Sequence, residues 1–381
     1  MNTHVFVVDS RTIKMHIEHL FAGTGAKDKQ SPFLLKADDN SINANTERNL
    51  VGLIADISRI RRGDNIIFYL QASGKTPGTF FGVFKAESIG FFDENDEDNY
   101  LKEELSKGLS YRIKISPKEV FSCGITEHEY LDDLSGKQFP YQLCWSLIYR
   151  KLKGNRGCTM ITEYEYIDLY NKLKYKNNGN NLEGDSFTFD EENAVIKKAE
   201  RHTIDYVGRQ FKIDITERLL YKKKRGNAFE AHLQAYILQN FDKSPLKDVL
   251  GIHMVENTWI GNEVSCGVGM QRIDLLLIET EDDIIHIRIV ELKDEEPYDY
   301  IITNQLPWYL KWVSDYIVPA YLQHFNKVYL HPCIIAKQTT DETMLDKIKN
   351  KRFNFDTDAE ICMNEYISFQ IADRITFKKE I

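Results

Sequence analysis

Apolar and polar positions alternate along the first third of the chain in short segments. His4-Val-Phe-Val-Val-Asp9 reads as a buried strand, and Ile13, Ile17, Leu20 and Phe21 follow at helical spacing. Residues 53–60 fit a helix that ends in the turn Arg61-Arg-Gly-Asp64. Residues 66–70 and 80–84 read as paired strands around the Gly/Pro-rich loop 73–78. A loop at 23–31 separates the first of these elements from the rest, and an acidic loop at 93–98, a strand at 110–115 and a strand start or end at Val120 and Phe121 follow. Residues 145–152 and 163–173 fit helices, with Gly154-Asn-Arg-Gly157 between them.

Residues 175–184 are polar and rich in Asn and Gly, the composition of a linker. Beyond them, 191–198 and 216–224 suit helices, and Phe229, Leu233, Ile237 and Phe241 recur at four-residue steps. Residues 272–279 and 284–293 are rich in Ile, Leu and Val and read as two strands joined by an acidic turn. A strand at 328–336, a helix at 343–349 and strands at 367–371 and 375–378 complete the pattern. The fold class expected is α/β (α+β) in two domains, 1–175 and 195–381, with a linker at 176–194.

Composition narrows this picture. With 381 residues, 42% apolar and 12% aromatic, the chain can bury two cores. A net charge of −9 excludes a wholly basic DNA-coating protein. Local charge differs: ten Lys or Arg lie between 197 and 225 against four acids, ending in Lys222, Lys223, Lys224 and Arg225. That run is either a phosphate track or a solvated helix face. Six cysteines without any Cys-x-x-Cys pair indicate neither a zinc site nor a disulfide framework, and suit a reducing cytoplasm. The N-terminus is a strand pattern rather than a signal peptide, and no apolar run is long enough to span a membrane. A cytoplasmic protein is expected.

The candidate chemistry lies in the hairpin Arg272–Lys293. If Asp282 and Asp283 centre its turn, residues whose numbers sum to 565 face each other, which pairs Asp274 with Glu291. Side chains alternate along a strand, so Glu291 and Lys293 share a face. Two carboxylates and a lysine at such a place suit Mg²⁺ together with phosphate oxygens. The same residues also suit an ordinary solvated strand end. The order Glu230, Asp274, Glu291-Leu-Lys293, Gln305 resembles the PD-(D/E)xK nuclease superfamily, and the Gln305-Leu-Pro-Trp-Tyr309 helix resembles its NucS-type branch. Ile273 stands where that pattern has Pro. The resemblance implies a restriction-endonuclease-like αβ core with a central mixed sheet. It further implies Glu230, Asp274 and Glu291 as ligands of Mg²⁺ (or Mn²⁺), with Lys293 and Gln305 also in the catalytic site. Glu230 could equally complete a capping box begun by Asn227.

The first half, by Phe6-Val-Val-Asp-Ser10, Arg62-Gly-Asp-Asn-Ile-Ile-Phe-Tyr69, Phe81-Gly-Val-Phe-Lys85 and Tyr111-Arg-Ile-Lys114, resembles the PUA-like superfold and its EVE and YTH domains. The segment from Leu147 to Asn155 also suits it. That resemblance implies a β-barrel with helices that takes a modified or flipped base into an aromatic pocket. By position, Asp9, Ser10 and Arg11 would contact the base edge. Tyr69, Phe81 and Tyr100 would line the pocket, with Phe91 or Phe92 as a further wall. Asp9 and Ser10 could instead cap the next helix, and Tyr69 and Phe81 could be core. The function expected is a metal-dependent DNA endonuclease, of the modification-dependent restriction type, acting on DNA with a modified base. A repair nuclease for mismatched or branched DNA, or an inactive nucleic-acid-binding protein, are the alternatives. Cutting both strands with one site per chain makes a homodimer an expectation as well.

Overall fold

The computed structural model describes residues 1–25, 38, 42–74, 76–93, 100–105, 108–149, 157–200, 204–267 and 271–381. Their contacts divide the chain into two compact units. The first runs to Gly136 and resumes over Ser146–Ile213; the second combines Lys137–Trp145 with Asp214–Ile381.

The first unit opens with β1 (Thr3–Val8), α1 (Ser10–Glu18), β2 (Phe21–Thr24) and α2 (Ala44–Ser58). Then come β3 (Asn65–Leu70), β4 (Thr79–Ala86), β5 (Phe91–Phe92), α3 (Lys102–Leu105), β6 (Tyr111–Pro117), β7 (Ile125–Thr126) and α4 (Glu127–Leu131). After α5 (Trp145–Tyr149) follow β8 (Cys158–Ile161), α6 (Glu163–Lys176), β9 (Phe187–Asp190), β10 (Val195–Lys198) and β11 (Phe211–Lys212). Strand order is β11-β5-β6-β4-β3-β1-β8, with β2 on β6 and β7 on β4. β1 and β3 are parallel, so the chain must cross between them, and α1, β2 and α2 make that crossing. β6 bends the sheet: Tyr111 to Lys114 pair with β2, whereas Ile115 to Pro117 pair with β4. Among the described residues no pairing joins β8 to β11, so the barrel expected from the sequence is a half-barrel. Phe6, Ile13, Ile17, Phe21, Ile54, Phe68, Phe80 and Phe84 are buried in this unit.

Several expected boundaries move. The helix expected at 53–60 begins nine residues earlier, capped by Asn43. Gly23, expected in a loop, lies in β2; the rest of the expected loop beyond Gly25 is outside the described residues, as are the acidic loop beyond Asp93 and residues 150–156. Val120 and Phe121 are buried outside any strand. The Asn/Gly-rich stretch closes α6, with Asn178 and Gly179 at positive φ, but it does not end the unit. Phe187, Phe189 and Ile196 are buried, and Phe189 meets the Phe81 ring edge-on at 5.3 Å. The expected helix at 191–198 is a turn and the strand β10, because the Asp190 carboxylate accepts from Glu192 N and Asn193 N and folds the chain into a hairpin. The boundary expected at 176–194 therefore falls after Ile213.

The second unit contains α7 (Thr216–Lys224), α8 (Glu230–Asn240), α9 (Leu246–Val249), β12 (Thr258–Ser265), β13 (Arg272–Glu281) and β14 (Ile284–Leu292). It continues with α10 (Leu306–Tyr316), α11 (Val318–Tyr321), β15 (Lys327–Lys337), α12 (Glu342–Asn350), β16 (Glu360–Ile361), β17 (Glu365–Ile371) and β18 (Ile375–Lys379). Its mixed sheet has the order β12-β13-β14-β15-β17-β18, with β16 beside β15. β12, β13 and β14 are antiparallel, and β15 runs parallel to both β14 and β17. The β13–β14 register is the expected one: Leu275 faces Val290, and Glu281 faces Ile284 across a turn in which Asp282 takes φ +49°. Among the described residues no helix is long and apolar enough to cross a membrane.

Candidate active site

Ile287 and Ile289 of β14, with Leu276 and Ile278 opposite them on β13, form one apolar face of the sheet, and all four are buried. Continuing that register one step past Leu275 and Val290 brings Asp274 and Glu291 onto the same face. Two carboxylates thus end a row of aliphatic side chains, at 9% and 1% exposure. Asp274 Oδ2 accepts from Leu292 N at 2.7 Å. Glu291 Oε1 accepts from Lys293 Nζ at 2.6 Å and from Gln305 Nε2 at 2.5 Å. Among the described residues, buried Glu291 Oε2 and Gln305 Oε1 have no hydrogen-bond partner.

Two helices complete the arrangement. Glu230 is the first residue of α8, where a carboxylate is favoured by the helix dipole. It does not complete a capping box: the N-cap is Phe229, whose N–H donates to Asp294 Oδ2 at 2.6 Å. Gln234, one turn on, donates to Asp274 O at 2.9 Å and ties the helix to β13. Lys293 Nζ reaches Glu230 Oε2 at 3.5 Å. Gln305 ends a π-helical turn, Ile301–Gln305, that leads into α10; such turns recur at functional sites. Buried Tyr309 follows on α10 with its hydroxyl 3.4 Å from Gln305 Nε2. Asp294, Glu295, Glu296, Pro297, Tyr298 and Lys337 line an adjoining hollow of about 560 Å³.

Burial raises Asp274 well above the usual carboxylate range, and the Glu291 charge raises it further against the pull of Lys293. Burial raises Glu230 too. Burial alone would lower Lys293, but Glu291, Asp274 and Glu230 together hold it above an ordinary lysine. The structure therefore brings Glu230, Asp274, Glu291, Lys293 and Gln305 together. Glu230 meets Glu291 through the Lys293 ammonium, and among the described residues no three His, Cys, Asp or Glu side chains converge as metal ligands. Asp294 escaped sequence reasoning, although its place directly after Lys293 was a usable signal.

The residues expected to bind a base are dispersed. Asp9 caps α1, accepting from Thr12 N at 2.8 Å, and Ser10 is exposed at the helix start. Arg11 donates to the Glu104 and Glu103 carbonyls. Tyr69 and Phe81 are fully buried, and the Tyr69 hydroxyl donates to Glu127 Oε2 at 2.6 Å, so neither ring is open to a base. Phe91 and Phe92 are buried as well. Alternation placed these rings on strands but could not say which face is core. Tyr100 is half-buried, its hydroxyl 2.7 Å from His19 Nδ1 and its ring edge-on to Tyr206. Beneath it Arg112 donates to Asp93 Oδ2 at 3.0 Å and to the Tyr206 hydroxyl at 2.9 Å, a buried network with no sequence signature. In the basic run, Lys223 donates to Ile371 O at 2.7 Å and Arg225 lies over the Tyr221 ring, while Lys224 is exposed.

No family model and no curated protein matches the sequence. Among solved structures, a hypothetical protein from Leishmania major is 8% identical with a TM-score of 0.28, over 46% of this chain and 96% of its own. The human THYN1 protein, in complex with 5-methylcytosine containing DNA, is 10% identical with a TM-score of 0.27, over 46% and 98%. A protein from Pseudomonas syringae is 13% identical with a TM-score of 0.26, over 45% and 99%. At such identities and scores these likenesses assign neither a site nor a ligand to this chain.

Proposed function

We propose that the protein is a metal-dependent DNA endonuclease whose second unit hydrolyses phosphodiester bonds. The observation that carries this is the buried Asp274–Glu291 pair with Lys293 beside it. Charged carboxylates at the end of an aliphatic face cost stability, and a merely structural site would not need two of them. The donor chemistry fits Mg²⁺ or Mn²⁺: the ligands are hard oxygens, and buried Glu291 Oε2 has no donor among the described residues. Asp274 and Glu291 would hold the ion together with phosphate oxygens, while Glu230, which meets Glu291 through Lys293, stands outside that pair. Bound there, the ion would supply a Lewis acid for the phosphate and a more acidic water.

The chain's own residues divide the remaining work. Burial and the Glu291 charge favour a protonated Asp274, so serving as a ligand would require it to lose that proton, and ion binding would be linked to pH. Lys293 stays an ammonium, which suits it to donate to a phosphate oxygen and unsuits it as a base. Gln305 fixes the Glu291 carboxylate through Oε1 and leaves Oε2 available. The first unit is proposed as the half that selects the DNA, in the manner of a modification-dependent restriction enzyme, with no residue yet assigned to a base.

The test is cleavage of otherwise identical duplexes carrying different base modifications, 5-methylcytosine among them, with Mg²⁺ or with excess chelator. Asp274→Ala and Glu291→Ala should abolish cleavage while DNA binding persists. Cutting in chelator, or by either variant, would overturn the assignment.

A further inference from the structure

Asp274 has a carboxylate residue on the strand to either side. Glu291 stands on β14. On β12, Asn262 pairs with Leu275, Val264 with Ile273 and Ser265 with Arg272, a register that sets Glu263 opposite Asp274. Glu263 takes φ +49°, and among the described residues it is the one position of positive φ inside a strand. A residue with a Cβ is disfavoured in that region, and such conformations persist where surrounding contacts hold them, most often at functional sites. Here the contacts are polar. Glu263 Oε2 accepts from Arg272 Nη1 at 2.8 Å. Glu263 Oε1 lies 3.5 Å from Gln234 Nε2, the same nitrogen that donates to Asp274 O at 2.9 Å. Arg272 stands two residues before Asp274 and so belongs to the same face of β13. Its side chain is 37% exposed and that of Glu263 22%, and a pair so open to water contributes little to stability.

We propose that Arg272 binds a phosphate of the DNA strand beside the carboxylate–lysine site, and that Glu263 holds its guanidinium until the phosphate displaces it. The fork of a guanidinium matches two oxygens of a phosphate, which suits Arg272 to this ligand better than a point charge would be. The two cations of this face are held by different carboxylates. Lys293 lies against Glu291 and Glu230, whereas Arg272 is held by Glu263, on the other flank of Asp274. Exchanging Glu263 for a phosphate therefore leaves Glu291 and its contacts undisturbed. The exchange also strands no charge, because the phosphate pairs the guanidinium and water takes up the partly exposed Glu263 carboxylate. The proposal takes its phosphodiester from the nuclease reading, but its test needs no cleavage.

The test measures the affinity of the full chain for an unmodified duplex of about 20 base pairs, in excess chelator, at about 50 and about 200 mM salt. Arg272→Gln should bind more weakly than wild type. Its deficit should shrink about 3.5-fold between the two salts, because one duplex phosphate contact contributes about 0.9 to the log–log slope. Arg272→Lys, which keeps the charge, should recover that slope. Glu263→Gln should bind more tightly than wild type, since the competing carboxylate is gone, whereas the same change made in Arg272→Gln should alter little. A purely structural ion pair predicts another pattern: each single variant lowers Tm slightly and neither changes affinity. A Glu263→Gln no tighter than wild type, equal gains from it in both backgrounds, an unchanged slope in Arg272→Gln, or a wild type that binds no duplex would each overturn the proposal. The expected pattern in a protein that never cuts would uphold the phosphate site and remove the nuclease reading alone. Metal-dependent cutting by an Arg272→Gln of wild-type affinity would do the reverse.

Discussion

Replacing Lys293 with Met probes the electrostatics of the site directly. Its ammonium lies 2.6 Å from Glu291 Oε1, with the two side chains 12% and 2% exposed. At an effective dielectric near 20, a unit pair about 4 Å apart is worth about 4 kcal/mol. Breaking one side of a buried pair typically costs about 3–5 kcal/mol, because the remaining charge is stranded. The 3.5 Å contact to Glu230 adds little, since that carboxylate is 43% exposed. A domain of this size loses about 2–4 °C of Tm per kcal/mol, so the second unit should melt roughly 6–20 °C lower. Lys293→Met/Glu291→Gln should recover most of the loss by removing the stranded charge. Mg²⁺ supplies a second arm. With Lys293 gone, a cation replaces the ammonium, and Mg²⁺ at about 100 times its Kd should restore about 2.7 kcal/mol. The double variant, short of one carboxylate, should gain much less. Calorimetry of the four proteins with and without Mg²⁺ reads both arms. A Tm within 2 °C of wild type for Lys293→Met, marked about 0.5–1 kcal/mol, would refute the buried-pair argument. Equal Mg²⁺ gains in the single and double variants would refute the metal argument.

Two further outcomes follow from the same geometry. Asp274 is held high by burial and by Glu291, so the stability of its protonated form is present below the unfolded carboxylate range and lost as pH rises through its raised folded value. Asp274→Asn should therefore raise Tm at about pH 8 and give no gain near about pH 3; the same shift at both ends would count against it. Replacing Lys222, Lys223, Lys224 and Arg225 with Ala should weaken binding to all DNA sequences alike and flatten its salt dependence by up to about 0.9 log–log units per lost phosphate contact. An unchanged slope makes that run a solvated helix face.

The parts of the fold legible in the sequence are those set by local periodicity. The β13–β14 hairpin has only one register that keeps Ile287 and Ile289 buried opposite Leu276 and Ile278, and Asp282–Asp283 can turn it. That register carries Asp274 and Glu291 with it, which is why their juxtaposition was readable before their contacts were. The domain boundary was not readable, because Asn and Gly mark any turn in water, whether or not a core continues beyond it. Phe187, Phe189 and Ile196 are buried beyond it, and Phe189 packs on Phe81, far earlier in the chain.

The same limit explains why the structure brings together the residues of one candidate site and disperses those of the other. A strand-borne site inherits its geometry from pairing, so Asp274, Glu291 and Lys293 could be placed by counting. A base pocket is a gap between elements, and Tyr69 or Phe81 lines one only if its ring points away from the core. Both point inward: Tyr69 packs on Phe80 at 4.9 Å, and Phe81 on Phe189. An aromatic on a strand is stabilised by burial whether or not a ligand exists, so composition cannot separate the two uses. Trp308 is the converse. Its ring is 47% exposed although burial would favour it, and only the hydrogen bond from its Nε1–H to Cys266 O shows that the exposure is held in place. A search for ligand contacts in this chain is therefore better guided by fixed, solvent-facing rings than by aromatic positions along the strands.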